Sequence, residues 1–125
     1  MRRDFIRRLA AFIRKFHDTN YRHRDLYLCH IFYSDDGRFY LIDLARVFKP
    51  VLLAERFRVK DIAQIYYSAP GGHFSGTDRL RFYFALTGRS KLNIKDKVFI
   101  CKVINKAKQI ARRDIKHGRD VPFEN

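Results

Sequence analysis

The chain has 125 residues, of which 46% are hydrophobic and 15% aromatic, so it can bury a core as one domain and lacks the composition of a disordered segment. Its 27 lysines and arginines against 13 acidic residues leave a formal charge of +14, which points to an anionic partner or a solvated basic surface. No apolar run approaches the ~18 residues of a membrane span. Arg7, Arg8, Arg14 and Lys15 break up any signal-peptide core, and two cysteines supply no disulfide framework, so a cytoplasmic, reducing setting is the expectation.

Phe5, Ile6, Leu9, Phe12, Ile13 and Phe16 recur at three- and four-residue spacing and predict a helix over 4–18, with the basic residues on its other face. An aromatic stripe flanked by cations also suits a membrane-surface helix; a helix packed into the core is the simpler reading. Asp18-Thr19-Asn20 ends it. His23-Arg24-Asp25 then opens a loop over 23–30 that closes at His30. Short aromatic and aliphatic runs on either side of Asp35-Asp36-Gly37 predict a hairpin over 30–43, which carries Asp43 back towards Asp25 and His30. Pro50 interrupts the pattern, and 51–58 reads as a connector without assigned structure. A helix is expected over 60–68, with Ile62, Ile65 and Tyr66 inward. Another is expected over 77–86, capped at Ser75 or Thr77 and stopped by Gly88. The longest is expected over 93–116, with Val98, Cys101, Ile104, Ala107 and Ala111 along one face. The fold class is therefore α+β, mainly α, in a single domain over 1–125.

Asp25 precedes His30 by five residues and Asp43 by eighteen. A carboxylate beside a hydroxyl can orient it and accept its proton. Asp43 offers the hard oxygen that magnesium prefers, and the imidazole of His30 also suits manganese or zinc. Plainer roles exist for each: a turn cap at Asp25, a turn hydrogen bond at Asp43, a satisfied rim histidine at His30. His17, His23, Cys29 and His30 lack the paired spacing of a structural zinc site. The Gly71-Gly72 to Gly76 stretch has no following Lys-Ser/Thr and reads as a loop.

The run His23-Arg24-Asp25-Leu26-Tyr27-Leu28-Cys29-His30 keeps the spacing of the protein-kinase catalytic loop, with His30 in the place of its asparagine. Leu41-Ile42-Asp43-Leu44-Ala45-Arg46 and Lys60-Asp61-Ile62-Ala63-Gln64-Ile65-Tyr66-Tyr67-Ser68 follow in order. With Ser75-Gly76-Thr77-Asp78-Arg79-Leu80-Arg81-Phe82 and Lys116-His117-Gly118-Arg119, they make the chain resemble the lipopolysaccharide kinase family of the Kdo/WaaP type over residues 4–123. The resemblance implies a protein-kinase-like large (C-terminal) lobe, with a short β-hairpin carrying the catalytic and metal-binding loops. It implies ATP-dependent phosphorylation of a sugar, Kdo or heptose, in the lipopolysaccharide inner core.

Under that resemblance Asp25 is the catalytic base, and Asp43 and His30 hold Mg2+, or Mn2+, against the ATP phosphates. His23, Arg24 and Asp61 support the catalytic loop, and Arg46 contacts phosphate or a substrate carboxylate unless an ordinary salt bridge occupies it. Asp43-Leu44-Ala45 in place of Asp-Phe-Gly leaves no glycine hinge for an activation switch. Kinases hold ATP beneath a small lobe that precedes the catalytic loop. Only 22 residues precede His23 here, so the expectation is a large lobe alone, with the N-terminal small lobe absent and the chain inactive without it. An anionic glycolipid acceptor would bring the protein to the cytoplasmic face of the inner membrane as a peripheral protein. The competing class is a non-catalytic basic module, a truncated kinase homologue or a nucleic-acid binder, bound through phosphate contacts with steep salt dependence. No nucleic-acid motif supports the last of these.

Overall fold

The computed structural model describes residues 2–119; residues 1 and 120–125 of the expected domain lie outside the described residues. In chain order the elements are α1 (Arg2–Asp18), β1 (Arg22–His23), β2 (Ile31–Tyr33), β3 (Phe39–Leu41), β4 (Val47–Phe48), α2 (Ala54–Ser68), α3 (Gly76–Thr87) and α4 (Ile94–Lys116). Single 3-10 turns at Leu28–His30 and Leu44–Arg46 enter and leave the hairpin region. The chain is thus mainly helical with very little sheet. α1 packs on α3 and α2 on α4. Leu9, Ile13, Leu26, Ile62, Leu86 and Val103 meet in the core between these pairs.

β2 and β3 form the hairpin, antiparallel with Ile31 opposite Leu41 and Tyr33 opposite Phe39. Gly37 turns it at φ 84°, where a Cβ would come within 2.5 Å of the Arg8 guanidinium. The hairpin lies on α1 through aromatic contacts, Phe5 edge-on to Tyr33 at 5.3 Å and Phe12 against Phe39 at 5.5 Å. Arg8 fastens it further by donating to the Gly37 carbonyl and the Tyr33 hydroxyl. This explains why Phe5 and Phe12 are only partly buried while Ile6, Leu9 and Ile13 are deep: that aromatic side of α1 receives the hairpin. The core-helix reading of α1 stands. Beneath the hairpin is an apolar cavity of about 440 Å³ whose walls include Phe5, Ile31, Phe39, Ile62, Tyr66 and Phe82.

Several expectations need correction. His30 belongs to a 3-10 turn rather than to a strand, and Asp43 lies beyond the end of β3, in the left-handed region at φ 59° and ψ 50°. A second small sheet, β1 paired with β4, joins the segment that enters the 23–30 loop to the segment after Asp43. The helix expected over 60–68 begins at Ala54, so residues 54–58, most of the supposed connector, are helical. Its N-cap, Leu53, has φ 61° and offers no side-chain cap, so nothing in the text announced the start. Tyr67 rather than Tyr66 is the deeply buried tyrosine of α2. In α4 the buried face runs through Phe99, Val103, Ala107 and Ile110, while Val98 and Cys101 face solvent. The expected stripe was rotated because Val98 and Cys101 are as apolar as the residues that pack.

Candidate active site

Four hydrogen bonds close a ring around the loop between β1 and β2. The Asp25 amide donates to His23 Nδ1 at 2.9 Å. His23 Nε2 faces the Ile42 carbonyl at 3.0 Å, and the Ile42 amide donates to the His30 carbonyl at 3.0 Å. His30 Nδ1 faces the Asp25 carbonyl at 2.5 Å and completes the circuit. These partners dictate both tautomers. Because Nδ1 of His23 accepts, its proton sits on Nε2; because Nδ1 of His30 must donate to a carbonyl, Nε2 carries the lone pair in the neutral form of that ring. The two imidazoles stack with centroids 5.9 Å apart.

The ring fixes the backbone at Asp25, His30 and Ile42, and Asp43 is the next residue. One Asp25 oxygen, Oδ2, accepts from Arg46 Nε at 2.8 Å in a partly exposed ion pair. The other Asp25 oxygen and the Asp43 carboxylate have no protein partner among the described residues. Arg24 spans the other side, its guanidinium 4.5 Å from the Phe48 ring centroid and its amide bonded to the Arg46 carbonyl at 3.1 Å. Arg46 therefore pairs with Asp25 through Nε, and its terminal nitrogens have no protein partner among the described residues.

Support comes from one face of α2. Asp61 Oδ2 accepts the His23 amide at 3.0 Å, Gln64 Oε1 the Leu26 amide at 2.8 Å, and Ser68 Oγ the Leu28 amide at 2.9 Å. Positions 61, 64 and 68 fall on one helical face, so three polar side chains run parallel to the loop and satisfy its amides. Gln64 also donates to the Arg24 carbonyl at 3.0 Å. Leu26, 0% exposed, drives the loop into the core between these bonds. Full burial of such a leucine is worth about 1.5–3 kcal/mol. Asp61 is 1% exposed and bonds His17 Nε2 of α1 at 2.9 Å through the same oxygen. Arg22 clamps the end of α1 by donating to the His17 and Tyr21 carbonyls and to Ala54; burial lowers its pKa, with Asp61 opposing the shift.

No three His, Cys, Asp or Glu side chains form a metal cage among the described residues. The donor types still fit a nucleotide-borne divalent ion. Magnesium is usually held by one or two protein groups, with phosphates and water completing the octahedron. His30, with its Nδ1 held by the Asp25 carbonyl, has on that nitrogen the hydrogen bond that orients metal-ligating histidines.

A profile of the Lipopolysaccharide kinase (Kdo/WaaP) family matches residues 1–85. The chain belongs to that family. Among curated relatives, it is 28% identical to lipopolysaccharide core heptose(I) kinase WaaP of Escherichia coli K12, over 94% of this chain and 48% of that protein. The protein of the same description from Pseudomonas aeruginosa is 32% identical over 66% of this chain and 33% of its own length. The chain thus spans about half the length of the E. coli relative. Among solved structures there is no significant match. The stretch covered by the Kdo/WaaP profile contains the hydrogen-bonded ring and all its α2 supports; α4 lies beyond it.

Sequence reasoning missed the supporting roles of His17, weighed there only as a zinc ligand, of Arg22, and of Gln64 and Ser68, quoted there only within a longer run. A signal for two of them existed: Asp61, Gln64 and Ser68 form a polar stripe at helical spacing inside an otherwise apolar segment. Such a stripe is costly to bury unless it meets a backbone in need of partners.

Proposed function

We propose that this protein supplies the large lobe of an ATP-dependent kinase that phosphorylates a heptose or Kdo hydroxyl of the lipopolysaccharide inner core. The observation that carries this reading is the closed ring of His23, Asp25, His30 and Ile42. It holds the Asp25 backbone while Arg46 fixes one carboxylate oxygen, which leaves the other oxygen, His30 Nε2 and the Asp43 carboxylate without a protein partner among the described residues. Asp25 orients the acceptor hydroxyl and takes its proton, Arg46 balances the Asp25 charge, and His30 with Asp43 would hold Mg2+ or Mn2+. The ion would neutralise and align the ATP phosphates, the main requirement of phosphoryl transfer. The small lobe that covers ATP would rest on the hairpin, where Phe32 and Tyr40 pair across the strands and are 57% and 48% exposed. A non-catalytic basic module is favoured by the charge of +14 alone, and such a module has no use for an oriented carboxylate.

The test joins this chain to the N-terminal half of the E. coli relative and supplies γ-labelled ATP and heptose-terminated core lipopolysaccharide. Label should pass to the sugar, Asp25→Asn should cut turnover by about a hundredfold or more while nucleotide still binds, and Asp43→Asn should weaken metal-dependent ATP binding. If the parent chimera binds Mg-ATP but Asp25→Asn turns over normally, the base is misassigned. If the folded chimera neither binds Mg-ATP nor transfers phosphate, the basic-module reading replaces this one.

A further inference from the structure

A short aliphatic tip links the candidate active site to α2. Val51, Leu52 and Leu53 are 95%, 76% and 61% exposed, and Leu44, just after Asp43, is 67% exposed. No other described segment shows three large apolar side chains in a row to solvent. Scattered surface leucines need no explanation, but a contiguous projecting group does.

The tip is bordered by cations. Lys49 precedes it, and Arg56 and Lys60 follow on α2 one turn apart, on the same face. They lie near Lys106 and Arg113 of α4: burial first, then the charges of Lys60, Arg56 and Arg113, hold the Lys106 ammonium below its ordinary value. Glu55, the acid in this stretch, is taken by Arg58 at 3.3 Å, and Arg56, Lys60, Lys106 and Arg113 have no ion pair among the described residues. An occupant must therefore accept side chains that stand clear of the protein surface and present dense negative charge beside them. Nucleic acid offers the charge without an apolar interior. A protein groove would need a dedicated pocket for each projecting side chain. A bilayer containing anionic lipids offers both along any part of its surface.

We propose that the 51–53 tip inserts at the headgroup–acyl boundary of an anionic bilayer while Arg56, Lys60, Lys106 and Arg113 bind its headgroups. The loop lies five residues beyond Arg46, so docking holds the Asp25 end of the protein at the lipid surface. The inference stands on exposure and charge, independent of the kinase reading.

The test is co-sedimentation of the full chain with vesicles of equal parts phosphatidylcholine and phosphatidylglycerol, against phosphatidylcholine alone, without nucleotide. Binding should require phosphatidylglycerol. Leu52→Asp should weaken it about tenfold or more, since a charge replaces the leucine that inserts into the bilayer. Arg56→Glu with Lys60→Glu should weaken it by a similar factor and flatten its salt dependence. In Leu52→Trp, tryptophan emission should move to shorter wavelength when vesicles are added. Position 52 is exposed, and unchanged circular dichroism melts establish that the variants are folded. The proposal is overturned if folded Leu52→Asp binds like the parent, if the Leu52→Trp emission does not move, or if pure phosphatidylcholine binds equally well. It also falls if sedimentation without lipid shows a dimer that Leu52→Asp dissociates, because the tip then seats in a second copy of this chain.

Discussion

At the residue scale, the arrangement turns on which atoms are held and which are left open. Asp61 is the anchor: one oxygen serves both the His23 amide and His17. Asp61→Ala strands a buried donor on each side. Unfolding in urea should show a loss of about 1–3 kcal/mol; an unchanged midpoint would mean that the ring stands without α2. Ser68→Ala, which removes the acceptor for one amide, should cost about 1 kcal/mol in the same measurement. His30 tests the metal assignment separately. If its Nε2 ligates, His30→Asn in the chimera should shift metal preference from Mn2+ towards Mg2+, because a carbonyl oxygen replaces a softer nitrogen. Equal ratios of Mn2+- to Mg2+-supported activity in both proteins would remove His30 from the ligand set.

At the scale of elements, the helices that begin with recognisable chemistry were legible. Ser75 with Asp78 and Asn93 with Asp96 form reciprocal capping boxes at the starts of α3 and α4. Ser75→Ala and Asn93→Ala should each lower stability by about 1 kcal/mol, read from thermal melts. The acids carry a pH signature as well. The Ser75 amide holds Asp78 below 3.8, and the Asn93 amide, then the Tyr83 hydroxyl, holds Asp96 below it. A carboxylate depressed in the folded state stabilises the protein above its unfolded pKa. That contribution is lost as pH falls through the lower, folded value. The melting temperature should therefore decline below about pH 4, and Asp96→Asn should make the decline shallower. The Asp35-Asp36-Gly37 turn was legible for the same local reason, a glycine where positive φ is needed. The start of α2 and the β1–β4 pair were not. Leu53 carries no capping signal, and a two-residue ladder has no periodicity to detect. At the site, Asp25 and His30 stood out because a kinase-like spacing marks them. Gln64 and Ser68 did not, because their value comes from meeting amides about 40 residues away.

At the scale of the whole molecule, the charge of +14 on 125 residues is an opposing force that the core must overcome. Ion pairs offset part of it, including Arg89 with Asp96 and Arg46 with Asp25. Raising salt from ~10 mM to ~150 mM shortens the screening length from about 30 Å to about 8 Å. The melting temperature should then rise as repulsion among the α1, α2 and α4 cations is screened. A fall instead would mean that the ion pairs outweigh the repulsion.

Leu53 is the wrong residue for its own backbone. A leucine at φ 61° and ψ 35° carries a penalty of roughly 1–2 kcal/mol that glycine or asparagine largely avoids, and asparagine could also cap α2. Leu53→Asn should therefore melt higher while losing part of its hold on anionic vesicles. Stability and attachment pull in opposite directions at one position, so a laboratory selection for heat resistance would blunt the tip and release a sturdier protein from the surface it is built to meet.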